Sequence, residues 1–343
     1  MSTGCDLLIA GGGPAGLATA LHAAHAGFDV VVAEPRQAPI DKACGEGLMP
    51  GAVRALRALG LTVPGHPIFG IRYVQGPHRV QAAFRRDPGL GVRRTSLHTA
   101  LHQAVVEAGV PVLPVRVGEV HQDAAGVTAA GTGLRARWLV AADGLHSPVR
   151  RSLGLGVKTC RAPRYGLRRH YAVPPRSPYV EVHWGRCGEA YVTPLGPRLV
   201  GVALLTAQRA PFSAQLAALP ELADRFPPEA ACTPVRGAGP LRQKVRTRVH
   251  GRVLLVGDAA GYIDALTGEG ISLALVGARA LVDNLRRGTP GGYEAAWHRA
   301  TRRYRLLTEC LVWAGQRPAL ARRITPAAQL LPGVFTAAVN TLA

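Results

Sequence analysis

Three glycines with the spacing Gly11-x-Gly13-x-x-Gly16 separate a short apolar run from a segment rich in small residues. The first glycine permits a tight turn, the second lets the backbone approach a pyrophosphate, and the third permits close packing of a helix on a strand. The N–H groups that begin such a helix face the phosphate oxygens. Glu34 ends a second apolar run, where its carboxylate is placed to accept hydrogen bonds from a ribose diol. We therefore predict a dinucleotide site.

Two further motifs place an aspartate directly after an apolar run. Asp143 lies in the segment ADGLHSPVRR (142–151), and Asp258 lies in the segment GDAAG (257–261). An acid at a strand end, followed by small residues, suits a polyol chain that lies against the backbone. The second motif continues into Gly-Glu-Gly-Ile at 268–271, which begins a predicted helix. The free N–H groups of such a helix start favour a developing anion.

These motifs need elements that hold them at one edge of a sheet. Residues 6–33 have the pattern of a strand, a helix and a second strand, which is one βαβ unit. Residues 164–205 alternate apolar and polar between Pro-Gly turns, which is typical of an antiparallel sheet with one covered face. A strand over 252–256 and a helix over 270–285 return to the first pattern.

The sequence therefore predicts an α/β fold in which an inserted antiparallel sheet splits a Rossmann-like domain. The predicted domains are residues 1–75, 92–160 and 240–290 for the dinucleotide domain, 76–91 and 161–239 for the substrate sheet, and 291–343 for a C-terminal helical segment.

The three motifs, in this order and spacing, resemble the FAD-dependent oxidoreductases that group p-hydroxybenzoate hydroxylase-like monooxygenases with geranylgeranyl reductase-like enzymes. The resemblance covers most of residues 5–290 and implies an FAD domain of the glutathione reductase type. It implies that the glycine loop lines the FAD pyrophosphate, Glu34 the adenosine ribose, and Asp258 the ribityl or pyrophosphate segment. The residues assigned to the cofactor are Gly11, Gly13, Pro14, Ala15, Gly16, Glu34, Arg36, Cys44, Arg94, Asp143, Asp258, Gly268, Gly270 and Ile271.

The two branches of this group differ in their chemistry. The segment KACGEGLMP (42–50) is similar to the Cys-Gly-x-Gly-Leu stretch of the reductase branch, which implies that Cys44 lies beside the isoalloxazine. A small buried residue in a glycine-rich loop explains Cys44 equally. Gly261 stands where the hydroxylases more often have a histidine, whereas the motif around Asp143 is complete, as in aromatic hydroxylases.

From these features we predict a monooxygenase that uses FAD, NAD(P)H and O₂. It hydroxylates an aromatic or polyketide-like molecule through a flavin C4a-hydroperoxide, in a bacterial secondary or lipid-quinone pathway. The alternative is a reductase of an alkene in a prenyl or lipid substrate. Cys44, Arg168, His170, His183 and Tyr191 are the candidates for contact with substrate, although a solvent-facing stripe or a surface run explains the last four as well.

The charge of the chain invites a different interpretation. In 343 residues, 41 Lys+Arg against 21 Asp+Glu give a formal net charge of +20. A nucleic-acid binder would show this charge as a stripe or cluster. The arginines instead lie along the whole chain, and the tightest groups are pairs. We therefore expect no nucleic-acid partner, and we expect part of the charge, at Arg36 and Arg94, to serve the polyanionic cofactors.

Location and metal content follow from simpler patterns. The six cysteines have no CxxC pair and no histidine at zinc spacing, so no metal site is predicted. We see no signal peptide and no run of 18 apolar residues, and we expect a cytoplasmic protein without a transmembrane segment. The apolar tail over 327–339 packs on the sheet, caps the substrate site or rests on a membrane surface. The oligomeric state is left open.

Overall fold

The computed structural model describes residues 4–159, 162–185 and 188–342. The strands are β1 (Gly4–Ala10), β2 (Val30–Ala33), β3 (Gly47–Leu48), β4 (His66–Ile68), β5 (Gly70–Gln75), β6 (His78–Ala83), β7 (Gly89–Gly91), β8 (Val112–Leu113), β9 (Val120–Gln122), β10 (Val127–Ala129), β11 (Arg135–Ala141), β12 (Gly156–Val157), β13 (Tyr165–Tyr171), β14 (Val180–Trp184), β15 (Gly188–Gly196), β16 (Leu199–Thr206), β17 (Arg236–Ala238), β18 (Lys244–Val245), β19 (Val249–His250) and β20 (Val253–Leu255). The helices are α1 (Pro14–His25), α2 (Pro50–Ala58), α3 (Arg94–Glu107), α4 (Pro148–Ser152), α5 (Phe212–Ala217), α6 (Pro220–Ala223), α7 (Gly270–Arg286), α8 (Gly292–Gly315), α9 (Pro318–Ala321), α10 (Ile324–Leu330) and α11 (Pro332–Leu342).

The first layer is a sheet whose central strands run parallel, in the order β20-β11-β1-β2-β8. Leu8 on β1 pairs with Leu139 on one side and with Val31 on the other. These strands are continuous apolar runs because the helices cover them: α1 lies against α3 and α7, and the strand side chains are buried. The carboxyl ends of β1, β11 and β20 therefore meet at one edge, where the three motifs follow.

The second layer is a seven-stranded sheet in the order β17-β13-β16-β15-β14-β5-β6. All neighbours are antiparallel except β14 and β5, which run parallel. The predicted α/β fold with an added antiparallel sheet is confirmed. The predicted boundary at residue 75 is wrong, because β5 and β6 form a hairpin through the turn at Gly76, and both strands of a hairpin belong to one sheet.

The C-terminal residues form four helices that join the two layers. Helix α8 packs on α7, whereas α10 and α11 pack on β6. Phe335 and Val339 of α11 form a small core with Val80 and Ala82 of the sheet. The buried side of the tail thus packs on the sheet, as one of the predicted alternatives required. Among the described residues, no helix is both long and apolar enough to cross a membrane.

Candidate cofactor and active site

In the glycine loop between β1 and α1, two of the motif glycines have no space for a Cβ atom, and the third faces open space. Gly11 has φ +110°, and a Cβ there would lie 2.6 Å from the Ala142 oxygen. A Cβ on Gly16 would lie 1.9 Å from the Gly11 oxygen, so this glycine permits the contact of helix and loop. A Cβ on Gly13 would meet only the Arg94 Nη2 atom, at 4.0 Å. The loop therefore leaves an open face over Gly13, at the N-terminus of α1.

Arg94 faces this opening with a guanidinium that lacks a full set of partners. Arg94 is 7% exposed, and its buried Nη1 atom has no hydrogen-bond partner among the described residues. Burial lowers the pKa of Arg94. A buried cation with a free donor is costly unless an anion binds it. The opening over Gly13 is thus suited to a pyrophosphate.

Glu34 holds the loop from the other side. Its carboxylate accepts hydrogen bonds from the Gly12 N–H at 2.9 Å and from the Arg36 side chain at 2.8 and 2.9 Å. Burial opposes the charge, but the hydrogen bonds from Arg36 and Gly12 hold the pKa of Glu34 below its usual range. Arg36 lines the cavity described below and Glu34 does not. The ribose contact of Glu34 stays a prediction.

Arg150 joins the two aspartate motifs. Its guanidinium donates to the Leu145 oxygen at 2.7 Å and to the Asp258 oxygen at 3.2 Å. Asp143 accepts the Val149 N–H at 3.0 Å, and its other oxygen is buried without a partner among the described residues. Burial raises the pKa of Asp143. The sequence analysis missed Arg150. It is one of two consecutive arginines, and nothing in the sequence shows which of such a pair is buried and which is on the surface.

The Cys44 loop is held by Glu46, a second residue that the sequence analysis missed. Glu46 has φ +60°, which is rare outside glycine, and its residue is buried. Its carboxylate accepts the Arg94 N–H at 2.8 Å and hydrogen-bonds His170 Nε2 at 2.5 Å. Its N–H donates to the Cys44 sulfur at 3.4 Å. Burial raises the pKa of Cys44, so this cysteine is a thiol and not a thiolate.

Arg168 and Tyr191 reach the same cavity from the sheet. Arg168 forms an ion pair with Asp41, and its Nη1 lies 3.2 Å from His170 Nδ1. Tyr191 donates its hydroxyl to the Leu266 oxygen at 2.6 Å. Burial raises the pKa of Tyr191 well above its usual value, which leaves a neutral phenol. These contacts tie the sheet to the loops around the cavity, and a catalytic role of either side chain stays a prediction.

His183 does not face the cavity, so its predicted contact with substrate is wrong. Val180 and Val182 of the same strand line the cavity, and successive side chains of a strand alternate between faces. His183 lies on the other face, where its Nε2 is 3.2 Å from a Glu181 oxygen. Arg225 also donates to that carboxylate, at 2.5 Å. His183 therefore belongs to a buried ion-pair cluster behind the sheet.

One cavity of about 550 Å³ collects most of the predicted site residues. The predicted residues that line it are Gly13, Pro14, Ala15, Arg36, Cys44, Arg94, Asp143, Arg168, Tyr191, Asp258, Gly268, Gly270 and Ile271. Gly11, Gly16 and Glu34 lie behind its wall. Glu269 also lines the cavity, and burial raises the pKa of this acid to about 8.

The cavity has a polar end and an apolar end. The glycine loop, Arg94 and the two aspartates form the polar end. Side chains from the sheet and from the C-terminal helices form the rest of the lining, which is mostly apolar, and they include Ile71, Tyr73, Val182, Leu311, Ile324 and Phe335. The polar end suits a dinucleotide, and the apolar end leaves space for a second, less polar molecule.

The parallel sheet carries an open glycine loop, a buried arginine without a full set of partners, and two aspartate motifs at one edge. These features together define a dinucleotide-binding protein. Comparison with known proteins agrees. The family model of the FAD binding domain matches residues 4–166. The menaquinone reductase of Mycolicibacterium smegmatis is 31% identical to this chain, and the alignment covers 87% of this chain and 80% of that protein.

Two further likenesses extend the comparison. The ubiquinone hydroxylase of Rhodospirillum rubrum is 29% identical, over 82% of this chain and 72% of that protein. A geranylgeranyl bacteriochlorophyll reductase-like structure from Thermoplasma acidophilum shares the fold, with a TM-score of 0.74 and 20% identity, over 99% of this chain and 94% of that chain. The chain belongs to the FAD-dependent oxidoreductases that the motifs predicted, and it is an enzyme that binds FAD. The FAD contacts of individual residues stay predictions.

Proposed function

We propose that this enzyme reduces a carbon–carbon double bond in the prenyl chain of a lipid, which is the alternative that the sequence left open. The observation that supports the proposal is the apolar end of the cavity. An isoprenoid double bond offers no polar group to recognise, so its position must come from apolar enclosure. The cavity provides such an enclosure from Val182 on the sheet to Leu311 and Phe335 on the C-terminal helices.

The charged residues of the lining come from the segments around the proposed cofactor position and, in the case of Arg168, from β13. Glu46 binds His170 and the Arg94 backbone, and Arg168 pairs with Asp41. These groups are engaged with one another and are not available to a polar substrate. The relative in Mycolicibacterium smegmatis is named a menaquinone reductase, and menaquinone carries a prenyl chain. A prenylated quinone is therefore the first substrate class to test.

When bound and reduced, FAD supplies a hydride, and the alkene takes up that hydride and one proton. We propose NAD(P)H as the source of the two electrons. Arg94 would bind the pyrophosphate, and the backbone from Gly268 to Ile271 would hold the pyrimidine edge of the flavin. Cys44 keeps its proton at Sγ, because burial raises its pKa, and it packs beside the alkene. Residues of the C-terminal helices line the apolar end, where a bound lipid chain would displace water.

The monooxygenase that the sequence predicted is the second candidate. The motif around Asp143 is complete, and this residue lines the cavity with one carboxylate oxygen unpartnered among the described residues. The relative in Rhodospirillum rubrum is named a ubiquinone hydroxylase. On this proposal the ring of a prenylated quinone, rather than its chain, lies beside the flavin, and O₂ and NAD(P)H are consumed.

One experiment separates the two candidates. The FAD-loaded enzyme is reduced anaerobically with dithionite and mixed with a menaquinone. The lipid is then extracted away from the enzyme, its quinone ring is re-oxidised, and mass spectrometry locates any added hydrogens in the prenyl-chain fragments. The reductase adds two hydrogens to the chain without O₂. A product that forms only in air and carries ¹⁸O from ¹⁸O₂ would establish the monooxygenase and reject the reductase.

A pair of variants on one helix tests the apolar end. Leu311→Trp fills the cavity, whereas Leu306→Trp changes a leucine of α8 that is exposed and lies outside the lining. We expect Leu311→Trp to keep FAD and to lower kcat/KM for a long-chain substrate about tenfold or more, since overpacking costs about 1–3 kcal/mol. Leu306→Trp should behave as the wild type. Equal activity of both variants would contradict the proposed position of the chain.

A further inference from the structure

Three large apolar side chains are exposed to solvent at the junction of α10 and α11. Leu330 is 81% exposed, Leu331 is 58% exposed and Val334 is 64% exposed. We call these three residues the apolar rim. They lie within residues 330–334, and large apolar side chains exposed close together indicate an interaction site.

The apolar rim is continuous with the apolar end of the cavity. Leu331 and Val334 line the cavity while they are also exposed. Ile324 and Ala327 of α10 line it as well. The cavity therefore opens to the outside between α10 and α11, through residues that are themselves apolar. An entrance of this kind gives a lipid chain a path that never crosses water.

The C-terminal segment that carries the apolar rim is strongly basic. Residues 295–343 contain seven arginines and a single acid, Glu309. That acid forms an ion pair with Arg242. Arg317, Arg322 and Arg323 are exposed, and the last two directly precede α10. An apolar patch beside arginines matches the boundary between anionic headgroups and acyl chains. A second copy of the chain would bring like charges together, which disfavours self-association.

We propose that the apolar rim docks on an anionic lipid bilayer and that the lipid substrate enters the cavity from the acyl layer. Leu330, Leu331 and Val334 enter the acyl boundary, and Arg322 and Arg323 contact lipid phosphates. The inference goes beyond the proposed function, because docking needs neither a reductant nor a double bond.

Vesicle flotation of the FAD-loaded full chain tests this inference without substrate. Vesicles of phosphatidylcholine and phosphatidylglycerol in equal parts are compared with phosphatidylcholine alone. We expect binding to the anionic vesicles, which weakens at high salt. Leu330→Glu should lower the partition about tenfold or more, because it removes an exposed leucine that would enter the acyl boundary and adds a negative charge that the anionic surface repels. The double variant Arg322→Gln/Arg323→Gln should bind roughly thirtyfold more weakly to the same vesicles.

Val106→Glu is the matched control. Val106 is 56% exposed near the end of α3, outside the cavity lining, and its replacement adds the same charge elsewhere on the surface. This variant should float with the vesicles as the wild type does. The inference is overturned if the wild type stays unbound, if the control loses as much binding as Leu330→Glu, or if Leu330→Glu instead dissolves a dimer seen in size-exclusion chromatography. None of these results bears on whether the enzyme reduces an alkene in detergent, so the two proposals fail separately.

Discussion

Replacing Arg94 by methionine should move cofactor affinity and apoprotein stability in opposite directions. The guanidinium is buried with its Nη1 unpartnered among the described residues, and burial lowers its pKa. Without FAD the buried guanidinium lowers the stability of the apoprotein. With FAD it binds the pyrophosphate in the proposed site. A hydrogen bond to a charged group contributes about 1.5–3 kcal/mol, so FAD binding should weaken about ten- to hundredfold in Arg94→Met.

The apoprotein should become more stable in the same variant. An apolar side chain of similar length in place of a poorly compensated buried charge stabilises by about 1–3 kcal/mol. The backbone N–H that binds Glu46 is retained. For 343 residues, an unfolding entropy of about 2.1 cal/mol/K per residue converts this gain into a Tm rise of about 1–4 °C. Differential scanning fluorimetry of flavin-free protein measures the shift, and titration with FAD measures the affinity.

The neighbouring arginine supplies the control. Arg93 is half-buried and does not line the cavity. Arg93→Met should therefore leave FAD affinity unchanged. If Arg94→Met binds FAD as tightly as the wild type, or if its apoprotein melts several degrees lower, the guanidinium is a structural group and the proposed pyrophosphate position is wrong.

Three further predictions use the loop and the cavity wall. Gly13→Ala should fold and lose flavin, because the added methyl has space only in the opening, whereas Gly16→Ala should not fold, since its Cβ would lie 1.9 Å from backbone oxygen; circular dichroism and flavin content separate the two. Tyr191→Phe should cost about 1–3 kcal/mol in a denaturant titration by leaving the Leu266 carbonyl unpaired, and it should keep the shape of the pH–rate profile, so loss of one limb would indicate a catalytic phenol after all. Since burial raises the pKa of Glu269 to about 8, the folded protein holds this proton more tightly than the unfolded chain, and the stabilisation that is complete at acid pH is lost as the pH rises through about 8. The Tm of Glu269→Gln should therefore fall less between pH 6 and about pH 9 than that of the wild type, and parallel curves would contradict the burial of a neutral acid.

The features that the sequence predicted are those set by local sterics. The glycine loop requires a positive φ at Gly11 and the absence of a Cβ at Gly16, and the glycines at these positions show both requirements in the sequence. The parallel strands are continuous apolar runs, and the motif order places their ends at one edge. A dinucleotide site could be predicted for this reason, and the resemblance of the three motifs to FAD-dependent oxidoreductases identified the dinucleotide as FAD.

The features that were missed depend on contacts between distant segments. Strand alternation predicts that His183 and Glu181 share a face, but it does not tell which face looks into the cavity. The positive φ of Glu46 has no signal in the sequence, because it is sustained by contacts with Arg94 and His170, 48 and 124 residues away. Arg94 was expected near the cofactor, yet its missing partner is visible only in three dimensions.

The parallel sheet is built from segments far apart in the chain, and this determines when the sheet can be completed during translation. Leu8 pairs with Leu139, and Leu139 pairs with Val253, so the sheet that carries the glycine loop is complete only when residues 253–255 have joined it. Ribosomes add about 5–20 residues per second, so the nascent chain waits roughly 13–50 s before its third motif is available. During that interval β11 lacks its neighbour β20, and helix α7, which packs on α1, has not yet been made. Because Asp258 belongs to the proposed FAD site, we predict that flavin is captured only near the end of translation, and that a shortage of flavin leaves a nearly finished chain open to aggregation and proteolysis.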